Sequence, residues 1–593
     1  MRKYFLVFVF LSFLPLIAEE SLENPKYKID QFYFEYVCQH KNFPTHEQLQ
    51  LIEISLTPVE EGFDVYKGEG EKISVELKNI GDLKPNYFTK NVINLVAKKV
   101  VKSVQKEGYR GIVVKVDPNE IDSKGNDHRS NGRLDFTVRV AKISKVHTKA
   151  LGNYVSEEES LNYSRHQKFI DKSPIQKDEY LHAESLDDYV HKVNRHPFRN
   201  IRAMIEEDDE GEDIILKYLV AEQKPWLIYV SAMNTGTHST KKWEEVVGYI
   251  NTQFTRHDDT LTLVYFTASF KSVWAITGSY QLPLPKDFYI RLTGYYNDFN
   301  ASILGDLNNE FLSKEVGGEL EVGNTFYQNK NFFIDAFFNS KWRNMHVENT
   351  ISLINAYENF YIPEIGLRFD KNSDDESLKS TFTFGGNIPG IAGTDQSKLV
   401  TLGSPNLDKN FQMLRLRLYY STFLRSLKPS SFPEDKTYYP PHQVLFICNG
   451  QYGFDYRIIP QEKVIYGGMF TVRGYSELIT SGDTGLNSTF QYQYHIARGY
   501  ANNLAYKNKL PNWDLLLSCF IDYGGTVINK HQDHEMNYSL LGSGVGLEFK
   551  LGANLVLHGQ LAFPLTPFHD PVNSSYDVKK YKRRIHLNGT LLY

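Results

Sequence analysis

The sequence predicts two regions of different class, an α+β N-terminal part followed by an all-β transmembrane barrel of about sixteen antiparallel strands. Three observations carry this. A basic start, Met1-Arg-Lys-Tyr4, precedes an apolar run from Phe5 to Ile17 and the small residue Ala18, the form of an export signal. Beyond it no stretch reaches the roughly eighteen apolar residues of a membrane-crossing helix, so the exported chain is either soluble or a barrel whose strands hydropathy does not reveal. From about Trp226 the sequence then becomes a succession of alternating segments separated by polar turns, and aromatic residues reach 14%, as barrel interface girdles require.

Taken in order, residues 1–18 read as a signal peptide. Residues 19–70 contain Phe32-Tyr-Phe-Glu-Tyr36 and Leu51-Ile-Glu-Ile-Ser-Leu56, which look strand-like but leave the fold of this segment open. Ile73–Leu77, a helical stretch Thr89–Lys106, Gly111–Val116 and Leu134–Val140 read β-α-β-β and predict a small domain at 71–140. A second domain, 141–224, has a helix at Ser185–Val193 and strands at Asn200–Glu206 and Ile214–Ala221. Each is an open sheet backed by helix, and such a sheet has an edge that accepts an extended segment of another chain. Asn200, Ile201, Arg202, Ala203 and Met204 are the candidate binding edge.

The barrel is predicted over 225–593. Strands are expected at Trp226–Thr235, Trp243–Phe254, Thr260–Phe270 and Val273–Leu282, then near Phe288, Glu315, Phe332, Tyr361, Lys379, Phe411 and Gln443. After a long loop, 463–487, they resume near Thr489, Trp513, Tyr538, Asn554 and Ile585. Leu515, Leu517, Cys519, Ile521 and Tyr523 share one parity and Leu516, Ser518, Phe520 and Asp522 the other, so the first set meets lipid and Asp522 points inward. An inward wall with Arg415, Arg417, Gln491 and Glu548 is expected to be wet. A lipid-facing Arg or Lys would cost about 2–4 kcal/mol at the midplane. With the first strand running outward, 234–242, 298–312, 387–410, 463–487 and 566–582 become external surface loops, while the long, Pro-rich 424–442 connection falls on the inner side.

The most informative feature is a pair of motifs. Gly467-Gly-Met-Phe-Thr-Val-Arg-Gly-Tyr475 puts Val472, Arg473, Gly474 and Tyr475 in the long Gly-rich loop, and Phe520-Ile-Asp-Tyr-Gly524 puts Phe520, Asp522 and Gly524 on a wall strand just downstream. A guanidinium carried into a barrel lumen requires a carboxylate, because an unpaired, partly desolvated charge is costly. Arg473 and Asp522 are the candidates.

With Gly108-Tyr109, Val114-Lys-Val-Asp-Pro118, Val193-Asn-Arg-His-Pro-Phe-Arg199, Glu222-Gln-Lys-Pro-Trp226, Asn234-Thr-Gly-Thr237, Leu541-Gly-Ser-Gly-Val-Gly546 and Phe563-Pro-Leu565, these motifs are similar to the transporter subunit of two-partner secretion, the haemolysin secretion/activation group that includes FhaC, ShlB and HecB. The resemblance implies two periplasmic POTRA domains that capture an unfolded exoprotein of the TpsA kind, and a sixteen-stranded, porin-like outer-membrane barrel through which it is exported. It also implies that Val472 to Tyr475 form the tip of a loop folded into the pore, with Asp522 the wall partner of Arg473. Residues 19–70 depart from the N-terminal plug helix and Pro-rich linker common in that group. The acidic 206–213 segment departs from its Pro-Gly turn.

The runner-up is a barrel insertase of the BamA or TamA kind, which shares the loop and wall motifs but carries three to five POTRA domains in most cases. A net charge of -5 argues against nucleic acid. No Gly-rich phosphate loop with Lys appears, so neither nucleotide nor other cofactor is expected, and no enzymatic activity. His531-Gln-Asp-His534-Glu535 matches no zinc spacing and reads as a polar loop without a metal. Cys38, Cys448 and Cys519 read as small apolar residues with no structural disulfide. The expected partners are the exoprotein, outer-membrane lipid and the barrel-assembly machinery, which reads a final strand such as Ile585–Tyr593 that ends on an aromatic.

Overall fold

The computed structural model describes residues 25–122, 124–152, 160–208, 211, 213–237, 241–270, 273–301, 311–349, 354–399, 402, 406–434, 436–503, 509–532, 535–570 and 577–593. The expected signal peptide lies outside these residues. The chain divides into two compact units that meet at Gln223 and Lys224.

The first unit is built on one topology used twice. Strand Gln31–Tyr36, short helix His46–Gln50, helix Lys90–Lys106 and strands Ile112–Val116 and Arg133–Val140 form the first copy. Strand Ile143–Leu151, short helix Gln167–Asp171, helix Ala183–Val193 and strands Arg199–Glu207 and Ile214–Glu222 form the second. In each, the first strand pairs in parallel with the last, and the middle strand pairs antiparallel with the last at the edge. The apolar face of Lys90–Lys106, carried by Val92, Val96 and Val100, packs on Phe32, Phe34 and Phe136. That of Ala183–Val193, carried by Leu186 and Val190, packs on Ile201, Leu216 and Tyr218.

This revises the first domain. Ile73–Glu76 does not open its sheet but belongs to a separate five-stranded sheet, mostly inserted between the two helices, with Lys26–Lys28, Glu53–Val59, Gly62–Val65 and Tyr87–Thr89. The true partner of Arg133–Val140 is Gln31–Tyr36. Residues 26–70 therefore share a core with 71–140. In the second copy, Glu222 lies between His166 and Arg199. Burial pushes its carboxyl up, but the His166 hydrogen bond and Arg199 charge outweigh this and hold it at about 2.

The second unit is a closed barrel of sixteen strands in which chain neighbours pair antiparallel, from Trp226–Met233 to Arg584–Leu592. It closes by registering Tyr229 on Leu592 through Met233 on Asn588. Leu517, Ile521, Val545 and Leu547 are exposed on the outer face, whereas Leu516, Ser518, Phe520 and Asp522 are buried inside, as the alternation predicts. At the inner rim Lys224 Nζ lies 3.3 Å from the Trp226 ring centroid and 4.0 Å from that of Tyr593. Among the described residues no helix is long and apolar enough to cross a membrane.

Two features differ from expectation. Strands Phe311–Asn329, Phe332–Asn349 and Ile354–Asn372 run 19, 18 and 19 residues, whereas about 9–11 suffice to span a bilayer. The outer parts of the last two carry apolar lumen residues, Met345, Val347, Phe360 and Ile362, packed against Leu399, Leu402, Leu407 and Phe411. Among its described residues the 387–410 segment is thus not a plain surface loop: Leu399, Leu402 and Leu407 turn inward onto the lumen side of these strands. The long 424–441 connection does sit at the inner end, where Asn502 holds Tyr439 by two hydrogen bonds of 2.8 and 2.7 Å.

Candidate functional site: the inward loop and its wall

The wall strand His442–Tyr452 ends well before residue 463, and the next wall strand begins at Thr484. The inward loop is therefore 453–483, and Gly485 and Asn487, expected in the loop, are already wall residues. A two-stranded ribbon, Val464–Tyr466 with Thr480–Gly482, stiffens it and presents the tip.

At the tip the guanidinium and carboxylate meet as a two-pronged pair. Arg473 Nε donates to Asp522 Oδ2 and Nη2 to Oδ1, each at 2.7 Å, and the Arg473 amide donates to Oδ2 at 3.0 Å. Thr489 Oγ1 donates to Oδ1 at 2.9 Å, and Arg473 Nη1 donates to Gln491 Oε1 at 3.0 Å. Phe520 lies beneath the guanidinium, its ring centroid 3.3 Å away, a cation–π contact strengthened by desolvation. Asp522 is 0% exposed and Arg473 5%. The expected wet lumen is thus dry at this point. Paired charges in planar, two-pronged geometry are the strong ones, and burial raises what is lost when either is removed.

Val472 and Tyr475 are fully buried beside the pair. Tyr475 Oη lies 2.9 Å from the Leu541 carbonyl and 2.7 Å from both Thr566 Oγ1 and the Thr566 carbonyl. Gln491 was expected on the inward wall, but neither it nor Thr489 or Thr566 was named as a partner of the tip. Inward parity marks Gln491 and Thr489, but nothing in the sequence ties Thr566 to Tyr475. Close approach explains the glycines. Gly474 has φ +98°, and a Cβ there would lie 2.7 Å from the Phe563 and Pro564 backbone. A Cβ on Gly542 would lie 2.1 Å from the Arg473 carbonyl oxygen, and one on Gly524 2.5 Å from a Val472 methyl carbon.

The other candidates fall elsewhere. Asn200 to Met204 form part of the edge strand of the second repeat. The Gln223 amide bonds the Phe198 carbonyl, so by ladder alternation the backbones of Ile201, Ala203 and Ile205 point away from the sheet. Asn194 already occupies that side of Ile201, accepting from its amide at 2.6 Å and donating to its carbonyl at 2.9 Å. The open edge therefore starts at Ala203. In the His531–Glu535 stretch, His534 lies outside the described residues. Glu535 is not a free loop carboxylate, since it pairs with buried Arg457. That hydrogen bond outweighs burial and holds its pKa at about 2.

Comparison with known proteins agrees with this geometry. The family model for haemolysin secretion/activation protein ShlB/FhaC/HecB matches residues 211–549. No curated protein matches the sequence. Among solved structures, CdiB from Escherichia coli is similar in fold at 12% identity and TM-score 0.62, covering 98% of this chain and 93% of its own. CdiB from Acinetobacter baumannii is similar at 14% identity and TM-score 0.55, over 98% and 92%. With a family match across more than half its length, two POTRA-like α+β repeats and a sixteen-stranded barrel closed on an inward loop, the chain belongs to the ShlB/FhaC/HecB family of haemolysin secretion/activation proteins, outer-membrane transporters of two-partner secretion.

Proposed function

We propose that the chain captures one unfolded exoprotein on its periplasmic repeats and passes it through the barrel, with the Val472–Tyr475 tip seated on the wall at rest and leaving it during export. The observation that carries this is the buried Arg473–Asp522 pair, which joins a loop inside the pore to the wall by side chains and one backbone amide. Such a contact has two definite states, made and broken, as a gate requires. Residues 31–140 serve as the first POTRA domain, 141–224 as the second, and 225–593 as the barrel. Lipid meets the apolar outer face, and the assembly machinery meets the final strand, where Tyr593 is exposed. No step of this scheme consumes a cofactor. Folding of the client outside biases its passage.

Client capture is assigned to the edge that starts at Ala203, where an added strand would extend the sheet by main-chain pairing. Proline at an outward-facing edge position removes one donor without breaking the ladder behind it. Ala203→Pro is therefore expected to lower export severalfold while barrel level and protease resistance of the repeats stay unchanged. The measurement is exoprotein in the medium of cells co-expressing the cognate secreted protein. Wild-type export from Ala203→Pro together with Ile205→Pro would remove this edge from the mechanism.

A further inference from the structure

The inward loop is also held at its root. Glu462, on a single turn Pro460–Glu462, is 3% exposed and lies among lumen residues of strands Phe332–Asn349 and Gln412–Phe423. Its carboxylate meets Arg343 Nη1 at 3.1 Å and Lys341 Nζ at 3.7 Å, and it accepts a direct hydrogen bond from Arg415 Nη2. Its carbonyl accepts from Gln451 Nε2 at 2.9 Å and from Arg415 Nη2 at 3.3 Å. Just upstream, Ile458 and Ile459 enter the apolar cluster with Phe360, Ile362 and Phe411.

The wall does not need this carboxylate for charge balance. Lys341, Arg343 and Arg415 already face the wall carboxylates Glu315, Glu319 and Glu364, three cations against three anions. A further carboxylate, itself buried and brought in by the loop, carries a desolvation cost that only its specific contacts offset. The Arg343 strand is the seventh of the sixteen and the Asp522 strand the thirteenth, six places round the ring. The loop is thus tied to two well-separated parts of the wall and bridges the lumen.

We propose that Glu462 is a positioning residue that pins the root of the inward loop across the pore, so that closure depends on a root contact as well as on the tip pair. This rests on the reading that the inward loop gates the barrel. The test is ion conductance of the purified full-length protein in planar bilayers bathed in potassium chloride, alongside the temperature at which the folded barrel denatures in detergent. Glu462→Gln is expected to raise open time about tenfold, the factor equivalent to about 1.4 kcal/mol, at an unchanged denaturation temperature. Glu462→Asp should fall between it and wild type. If Glu462→Gln fails to assemble, Arg415→Lys carries the same test, since it keeps the charge and loses the fork. A lowered denaturation temperature with unchanged conductance would make Glu462 a wall-packing residue, and no change in either quantity would also overturn the proposal. Asp522→Asn run in parallel separates the two ideas. Wild-type conductance there, with an effect at Glu462, would sink tip gating and leave the root anchor standing.

Discussion

Asp522→Ala is expected to leave the barrel in the membrane and nearly to abolish export. The substitution strands the Arg473 guanidinium against Phe520 with Gln491 as its remaining side-chain acceptor, and breaking a buried pair from one side costs about 3–5 kcal/mol. The loss falls on the seating of the tip, because the Asp522 strand keeps its full ladder on both sides. Arg473→Ala removes the other partner and should be similarly damaging. The double mutant should be clearly better than the sum of the two, with a coupling energy in the upper part of the roughly 0.5–3 kcal/mol range seen for contacting residues. The measurement is exported client normalised to heat-modifiable barrel in the three strains. Additive defects would show that the two residues act separately.

Gly474→Ala should be nearly as severe, for a reason unrelated to charge. A left-handed backbone costs a residue with a Cβ about 1–2 kcal/mol. Here the added carbon would also sit 2.7 Å from the Phe563 and Pro564 backbone, with no flexible side chain to yield. The tip must then lift from the wall, which lengthens the Arg473–Asp522 contact and moves Tyr475 off Thr566. Protease cleavage within 467–478 on intact cells should rise from nearly absent to readily detected. A loop as protected as wild type, with normal export, would show that the close approach at Gly474 is dispensable.

How much of this was legible depends on the range of the interaction. Alternation has a period of two and needs no partner, so Asp522 could be placed in the lumen and the barrel strands counted from sequence. The tip pair was legible because both members lie in short motifs whose chemistry is one-sided. Partner choice was not. Gln31–Tyr36 pairs with Arg133–Val140 across an intervening sheet, and Ile73–Glu76, nearer in sequence to the helix, looked like the better first strand. The inward turn of Leu399, Leu402 and Leu407 was missed because they are spaced irregularly and their burial depends on Phe360 and Ile362 of another strand. Tyr475 could be named, but its Thr566 partner could not, since hydroxyl–carbonyl contacts leave no pattern in sequence.

The account turns on whether the tip must leave the wall for export, and a reversible lock tests that. Cys38, Cys448 and Cys519 are unpaired and can first be replaced by serine. A Cβ on Gly524 would lie 2.5 Å from a Val472 methyl carbon, so Val472→Cys with Gly524→Cys brings two Cβ atoms near the roughly 3.5–4.5 Å that a disulfide requires. The measurement is client export before and after reduction, with the fraction of disulfide read from the same cells and each single cysteine as control. The account predicts that export stops when the lock is closed and returns to the level of the single mutants when it is reduced. Undiminished export through fully locked barrels would contradict it.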